Sequence, residues 1–127
     1  EFGYRGFQQL QMEALIALCH DILSRHPIPA RNIVGHADVA PQRKQDPGEL
    51  FDWELLAKRG IGLWPDKNLG NYENSDIDHL LSSFGYEVND TSAALRAFQR
   101  HYRPSLISGK ADRTTCEIIN SLVNLVS

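Results

Sequence analysis

Apolar residues fall into two separate sets along this chain, and the polar stretch between them limits the folds that the chain can adopt. That stretch, residues 66–75, carries three asparagines and Gly70. A length of 127 residues accommodates one ordinary domain or two very small ones, and small domains bury less apolar surface. We therefore expect two units, residues 1–65 and 76–127, joined by a linker over residues 66–75.

Helical spacing of apolar residues occurs in both units. Residues such as Leu10, Leu15 and Leu18 recur at intervals of three and four, which predicts an amphipathic helix that ends before Pro27 and Pro29. Asp and Asn residues before the later patterns are suitable N-caps. The five predicted helices cover residues 6–24, 50–58, 76–83, 93–102 and 116–126, so we expect helix to dominate.

Residues 32–36 have a different pattern from the helices. The β-branched pair Ile33 and Val34 runs into Gly35, which predicts a short buried strand with His36 at its C-terminal end. Residues 37–50 contain Pro41 and Pro47 and lack an apolar period, so an irregular loop is expected. Loops held by a rigid scaffold often carry binding and catalytic side chains, which makes this segment the candidate site.

Charge and hydropathy exclude several classes of protein. The formal net charge is −3, whereas duplex nucleic-acid binders concentrate Lys and Arg on one face, so no nucleic-acid partner is expected. No apolar run approaches the roughly 18 residues needed to cross a bilayer, and no secretory leader is evident. Cys19 and Cys116 lie in apolar helical stripes, which favours buried thiols over a disulfide.

His36 and Asp46 are the candidate metal ligands. A neutral imidazole and a carboxylate both bind zinc, and a strand-end His can converge with an Asp returned by a loop. Catalytic zinc sites usually use three protein ligands, so a third must come from elsewhere. Taken alone, both residues also suit structural roles, with Asp46 capping a turn at Asp-Pro-Gly. The remaining histidines have no ligand-like context and are expected to be exposed or partly packed: His20, His26, His79 and His101.

Residues 35–48 read GHADVAPQRKQDPG. With Ile33 and Val34 before it and Phe51 and Trp53 after it, this string closely resembles the second half of the AmpD/AmiD type of N-acetylmuramoyl-L-alanine amidases (amidase family 2). The resemblance implies that residues 1–65 are the C-terminal part of an α/β amidase domain with a mixed sheet and flanking helices.

The same resemblance implies a reaction and a set of site residues. His36 corresponds to the second zinc-ligand His, Asp46 to the ligand carboxylate and Lys44 to a lysine that polarises and stabilises the reacting amide. The implied cofactor is Zn²⁺, and the implied reaction is hydrolysis of the amide between N-acetylmuramic acid and L-alanine in peptidoglycan or muropeptides by zinc-activated water. A cation at Lys44 suits stabilisation of an oxyanion.

The family pattern also includes a first zinc-ligand His and a glutamate general base on strands upstream of the string. The chain opens at Glu1 without an initiator Met, so we expect it to begin in mid-domain and to need that upstream segment for catalysis.

Residues 76–127 resemble a second family, the three-helix peptidoglycan-binding domain that often accompanies cell-wall hydrolases. The resemblance rests on Leu80 and Leu81, the sequence 84–86, Phe98 and Asp112. It implies a location in the bacterial cell envelope, in the periplasm or at the outer membrane. Two alternatives stay open: a non-catalytic peptidoglycan-binding fragment, and a structural or regulatory helical domain in which His36 and Asp46 cap turns.

Overall fold

The computed structural model describes residues 9–65 and 76–126, in which helices are separated by turns and irregular segments. Six α-helices lie within those two ranges, with a 3-10 turn at Ala30–Asn32 between the first two. In chain order the helices are α1 (Gln9–Arg25), α2 (His36–Val39), α3 (Trp53–Lys58), α4 (Ile77–Phe84), α5 (Thr91–Tyr102) and α6 (Arg113–Leu125). None of the helices in these ranges is long and apolar enough to cross a membrane.

An aspartate precedes each of the last four helices and fixes where it begins. The carboxylates of Asp52, Asp76, Asp90 and Asp112 each accept a backbone N–H from the first turn of the following helix. Such a cap satisfies a donor that has no partner inside the helix and stabilises the fold by about 1 kcal/mol. The caps explain why α3 begins at Trp53 and not at residue 50 as predicted.

The three C-terminal helices, α4, α5 and α6, enclose the larger core. Leu81, Phe98, Ile119 and Leu122 are fully buried in it, as their helical spacing predicts. The apolar Leu125 lies in the last turn of α6 and is 47% exposed. Ala37 belongs to the same core, so the segment after the predicted strand packs against the C-terminal helices.

A smaller core lies beneath α1 and α3 and is built around Met12, Ile16, Trp53, Leu56 and Ile61. The apolar residues of α1 were predicted to share one face, and this is only partly correct. Leu15 packs against the smaller core, whereas Leu10 and Leu18 lie on an exposed side of the helix. Apolar spacing alone does not tell which of two apolar sides a neighbour covers.

The prediction of an α/β fold with a mixed sheet is wrong for the described residues, which contain no strand. Residues 33–35 are not paired with a neighbour, and His36 begins α2 instead of ending a strand. The reason is local, because backbone N–H groups must find acceptors and a strand finds them on an adjacent strand. Here Ile33 N–H donates to Ala30 O, and Gly35 N–H donates to the Asp38 carboxylate.

The two cysteines are free thiols, as predicted. Cys116 is buried in α6, and Cys19 is half-buried against the smaller core, where burial raises the pKa of its thiol. The predicted linker, residues 66–75, lies outside the described residues, so the division into units at 1–65 and 76–127 stays a prediction.

Candidate functional site

The loop after α2 returns Asp46 to the start of that helix. Asp46 O accepts the Ala37 N–H at 3.0 Å, and the Asp46–Pro47 peptide bond is cis. The Pro47 ring lies against Gly35, where an added Cβ would be 2.5 Å from Pro47 Cδ. Gly35 therefore has to lack a side chain for this loop to close on the helix.

This closure brings together two of the predicted site residues, His36 and Asp46. His36 Nδ1 donates to Asp46 Oδ2 at 2.7 Å. The two side chains are 73% and 58% exposed, so both are accessible from solvent. The hydrogen bond from His36 lowers the pKa of Asp46, with smaller contributions from the nearby charge of Lys44. The Asp46 carboxyl group is therefore anionic at neutral pH.

The donor chemistry of this pair fits zinc. Zinc binds imidazole nitrogen and carboxylate oxygen at about 2.0–2.2 Å, which in tetrahedral geometry separates two ligand atoms by roughly 3.3–3.6 Å. A catalytic zinc site usually has three protein ligands, and this pair would account for two of them. Across residues 9–65 and 76–126, no group of three His, Cys, Asp or Glu side chains is placed to hold a metal ion.

Lys44 lies on the same exposed loop, two residues before Asp46. Its backbone N–H donates to Ala40 O at 2.9 Å, which fixes the turn that carries it. The side chain lines an open cleft together with Arg43 of the loop and Arg96 and Arg100 of α5. The predicted role of Lys44 in catalysis stays a prediction.

A second aspartate of the string, Asp38, is buried and joins the loop to the C-terminal helices. Its Oδ2 accepts the Gly35 N–H at 3.0 Å and His101 Nδ1 at 2.7 Å. Its Oδ1 accepts the hydroxyl hydrogen of Tyr86. Three donors from three segments thus converge on one carboxylate, and one of them is the amide immediately before His36.

His101 is held by stacking as well as by this hydrogen bond. Its ring lies 3.8 Å from that of Trp53 on one side and 3.8 Å from that of Tyr102 on the other. His101 Nε2 is buried, and no hydrogen-bond partner for it lies in the part of the chain that the structure describes. The expectation that His101 is exposed or partly packed is therefore wrong, since it is 2% exposed.

Two sequence signals pointed to this buried network. Asp38 is three residues after Gly35, the spacing at which an acidic side chain reaches back to the N-cap amide of a helix. His101 shares the inner face of α5 with Ala94, Ala97 and Phe98, at helical intervals. The other histidines match the expectation better: His26 and His79 are exposed, and His20 Nε2 bonds to Arg59 O at 2.7 Å.

Several known proteins are similar to this chain in sequence and in structure. Residues 1–49 match the sequence model of the N-acetylmuramoyl-L-alanine amidase family. N-acetylmuramoyl-L-alanine amidase AmiD of Escherichia coli is 40% identical over 137 aligned residues, covering 94% of this chain and 50% of AmiD. The chain is similar in sequence to the AmpD/AmiD-type amidases.

Solved structures of this family extend the likeness to the C-terminal helices. E. coli AmiD, in complex with anhydro-N-acetylmuramic acid-L-Ala-D-γ-Glu-L-Lys, matches 94% of this chain with a TM-score of 0.86 and 39% identity. AmpDh3 of Pseudomonas aeruginosa, in complex with anhydromuramic pentapeptide, matches 96% with a TM-score of 0.88 and 31% identity. The chain spans 53% and 55% of those two proteins, about half of each.

The AmpD enzymes themselves share a shorter part with this chain. 1,6-Anhydro-N-acetylmuramyl-L-alanine amidase AmpD of Enterobacter cloacae is 47% identical over 47 residues, which is 37% of this chain and 25% of AmpD. The likeness to AmiD is therefore more than twice as long as the likeness to AmpD.

Proposed function

We propose that this chain forms part of a zinc-dependent N-acetylmuramoyl-L-alanine amidase, which hydrolyses the amide between N-acetylmuramic acid and L-alanine in muropeptides or peptidoglycan. The observation that carries the proposal is the exposed pair His36 and Asp46. The Nδ1 atom of His36 and the Oδ2 atom of Asp46 lie 2.7 Å apart, and both residues belong to the string that resembles the family. The AmiD and AmpDh3 relatives, crystallised with anhydromuropeptides, support the substrate class.

His36 and Asp46 would hold the zinc ion. When bound, the ion supplies a water with a pKa lowered to about 7 and polarises the amide carbonyl. We place the third protein ligand and the general base, a His and a Glu in the family pattern, on an upstream segment of the amidase domain outside the described residues.

Lys44 would stabilise the negative charge that develops on the amide oxygen. A cation has this effect where water is excluded, and removal of one such group from an enzyme typically slows catalysis by about 10²–10³-fold. Replacing Lys44 by Met keeps the length of the side chain and removes the charge. We expect Lys44→Met to retain zinc and to lose most of the rate of peptide release.

The C-terminal helices would act as a peptidoglycan-binding module, and the protein would work in the bacterial cell envelope. The support is the resemblance of residues 76–127 to such modules and the match of AmiD over nearly the whole chain. Fractionation of cells that express the tagged protein tests the location, and recovery in the cytosol alone would contradict it.

The deciding experiment measures zinc in the complete protein after dialysis, together with a denaturing mass spectrum. We expect one zinc ion per chain in the wild type and in the control variant His26→Ala, which changes an exposed histidine. His36→Ala and Asp46→Ala should each lose the metal, because a site with one fewer protein ligand binds zinc much more weakly.

The same samples are then incubated with anhydro-N-acetylmuramic acid-L-Ala-D-γ-Glu-L-Lys, and peptide release is followed by mass spectrometry. Release that depends on His36 and Asp46 supports the amidase. Zinc retained by His36→Ala would contradict the ligand assignment. Saturable binding of peptidoglycan without any release would favour the alternative of a non-catalytic binding fragment.

A further inference from the structure

An open cleft of about 350 Å³ separates the loop at residues 41–45 from the start of α5. Two cations of the loop, Arg43 and Lys44, line one side, and Arg96 and Arg100 of α5 line the other. One acidic residue, Asp90, is also present, and its carboxylate is already engaged as the N-cap of α5. The cleft is strongly cationic, although the chain as a whole has a net charge of −3.

Apart from Lys110, each Lys and Arg elsewhere in the described residues has a side-chain partner. Arg31 donates to Ser83 O and lies over the Phe84 ring. Five others form ion pairs with a nearby carboxylate: Arg25, Lys58, Arg59, Arg103 and Arg113. The four cleft cations have no ion-pair partner within residues 9–65 and 76–126, and of the other cations there only Arg31, which donates to a backbone carbonyl, and Lys110 share this property.

The Arg96 side chain lies against Gly109. A Cβ on Gly109 would lie 3.0 Å from Arg96 Nε and 3.1 Å from Ser92 Oγ. The Arg96 side chain therefore packs closely against a residue that has no side chain of its own. Arg96 also lines the cleft. Like charges that share a cleft repel one another and raise the local potential, so the arrangement favours an anionic ligand.

We propose that this cleft binds the carboxylates of the stem peptide of the muropeptide, with Arg96 and Arg100 as the specificity-determining residues. The inference rests on the proposed amidase function, because Lys44 links the cleft to the predicted metal ligand Asp46 two residues later. A γ-linked glutamate keeps its α-carboxylate free, and an arginine fork binds such a group with two parallel hydrogen bonds. The C-terminal helices thereby contribute to substrate choice.

The test is a binding titration of the complete protein with the free peptide L-Ala-D-γ-Glu-L-Lys, followed by amide NMR shifts and calorimetry. The double variant Arg96→Gln, Arg100→Gln should weaken binding by at least about tenfold, because hydrogen bonds to charged groups contribute that much each. The control variant Lys110→Gln removes an exposed cation outside the cleft and should leave the affinity unchanged.

Two further ligands identify the chemistry that is recognised. A peptide with both carboxylates converted to amides should bind at least about tenfold more weakly than the acid, and its affinity should be the same for the wild type and the double variant. Inorganic phosphate should compete only weakly. Equal binding of the amidated peptide, or tighter binding of phosphate than of the peptide, would overturn the assignment to carboxylates.

The inference and the proposed function can fail separately. If the protein retains no zinc and releases no peptide, but the double variant loses peptide affinity, the cleft assignment stands and the amidase proposal falls. If zinc and hydrolysis are present, the double variant should raise KM more than it lowers kcat. An unchanged KM together with unchanged peptide affinity would overturn the cleft assignment alone.

Discussion

The same hydrogen bond occurs twice in this molecule, in opposite surroundings. His36 Nδ1 meets Asp46 Oδ2 at 2.7 Å on an exposed loop, and His101 Nδ1 meets Asp38 Oδ2 at 2.7 Å in the interior. Water competes for the exposed pair, which contributes little to stability and can exchange its partner for a metal ion. The buried pair has no such competitor, so the loss of either partner leaves an uncompensated polar group.

The same His–Asp hydrogen-bond geometry can therefore serve different roles in exposed and in buried surroundings. The two aspartates lie eight positions apart in one string. The Asp38 side chain is buried and bonded to other segments of the protein, whereas the Asp46 side chain is exposed to solvent. We assign the supporting role to Asp38, because it fixes the Gly35 amide beside His36. Substitutions at Asp38, His101, Tyr86 and His36 should lower the stability of the protein by progressively smaller amounts.

The largest effect is expected for Asp38→Ala. The substitution leaves the donors of Gly35, Tyr86 and His101 without their shared acceptor, and removal of one partner from a buried pair costs about 3–5 kcal/mol. Urea unfolding followed by circular dichroism measures the loss. Asp46→Ala is the matched control, and its exposed carboxylate should leave the unfolding midpoint nearly unchanged. Equal losses in the two variants would contradict the contrast.

His101→Phe should have the next largest effect. Phenylalanine can still stack between Trp53 and Tyr102, but it cannot donate to Asp38, and loss of a hydrogen bond to a charged group costs about 1.5–3 kcal/mol. The free energy of unfolding is compared with that of His79→Phe, which changes an exposed histidine of α4. If His101→Phe were as stable as the wild type, stacking alone would hold this position.

Tyr86→Phe should cost about 1.5 kcal/mol at neutral pH, near the lower end for a hydrogen bond to a charged group. Burial, reinforced by the charge of Asp38, raises the pKa of Tyr86 well above its usual value of 10.0. A raised pKa in the folded state means that this stability is complete below pH 10 and is lost as the pH rises toward the folded value.

Urea midpoints of the wild type and Tyr86→Phe at pH 8 to 11 test the sign of this dependence. The wild type should lose stability above about pH 10, and the gap to the variant should narrow there. Tyr102, whose pKa burial also raises, continues to contribute in both proteins. A gap that widens with pH would mean that Tyr86 ionises readily in the fold.

The smallest effect on stability is expected for His36→Asn. Asparagine can still donate to Asp46, and the exposed position has few contacts to lose. The same variant should lose zinc in the complete protein, so metal content and unfolding midpoint should separate. A large loss of stability would show that His36 has a structural role like that of His101.

Much of the helical framework could be predicted from the sequence. Apolar spacing located α4, α5 and α6 within three residues at each end, because these helices bury one continuous stripe. Asp90 and Asp112, which cap α5 and α6, are Asp residues of the kind that suits an N-cap before these apolar patterns. Leu10 and Leu18 show the limit, because periodicity identifies an apolar side without telling whether a neighbour covers it.

The segment before His36 could not be predicted in the same way. Ile33 and Val34 favour a strand, but a strand exists only where a partner accepts its hydrogen bonds. The Gly35 amide is instead bound by Asp38, and that carboxylate is held by Tyr86 and His101, 48 and 63 residues away. The resemblance of the string to the amidase family predicted His36 and Asp46 as a pair, whereas the support for that pair depends on tertiary contacts.

The separation of Asp38 and His101 along the chain also orders events during synthesis. The two residues are 63 positions apart, and ribosomes add roughly 5–20 residues per second. The turn before His36 therefore emerges several seconds, roughly 3–13 s, before the histidine that secures it has been made. During that interval the nascent loop already contains Gly35 and Pro47, but His101 has not yet been synthesised. The hydrogen bond between His101 and Asp38 therefore cannot form until translation has passed residue 101.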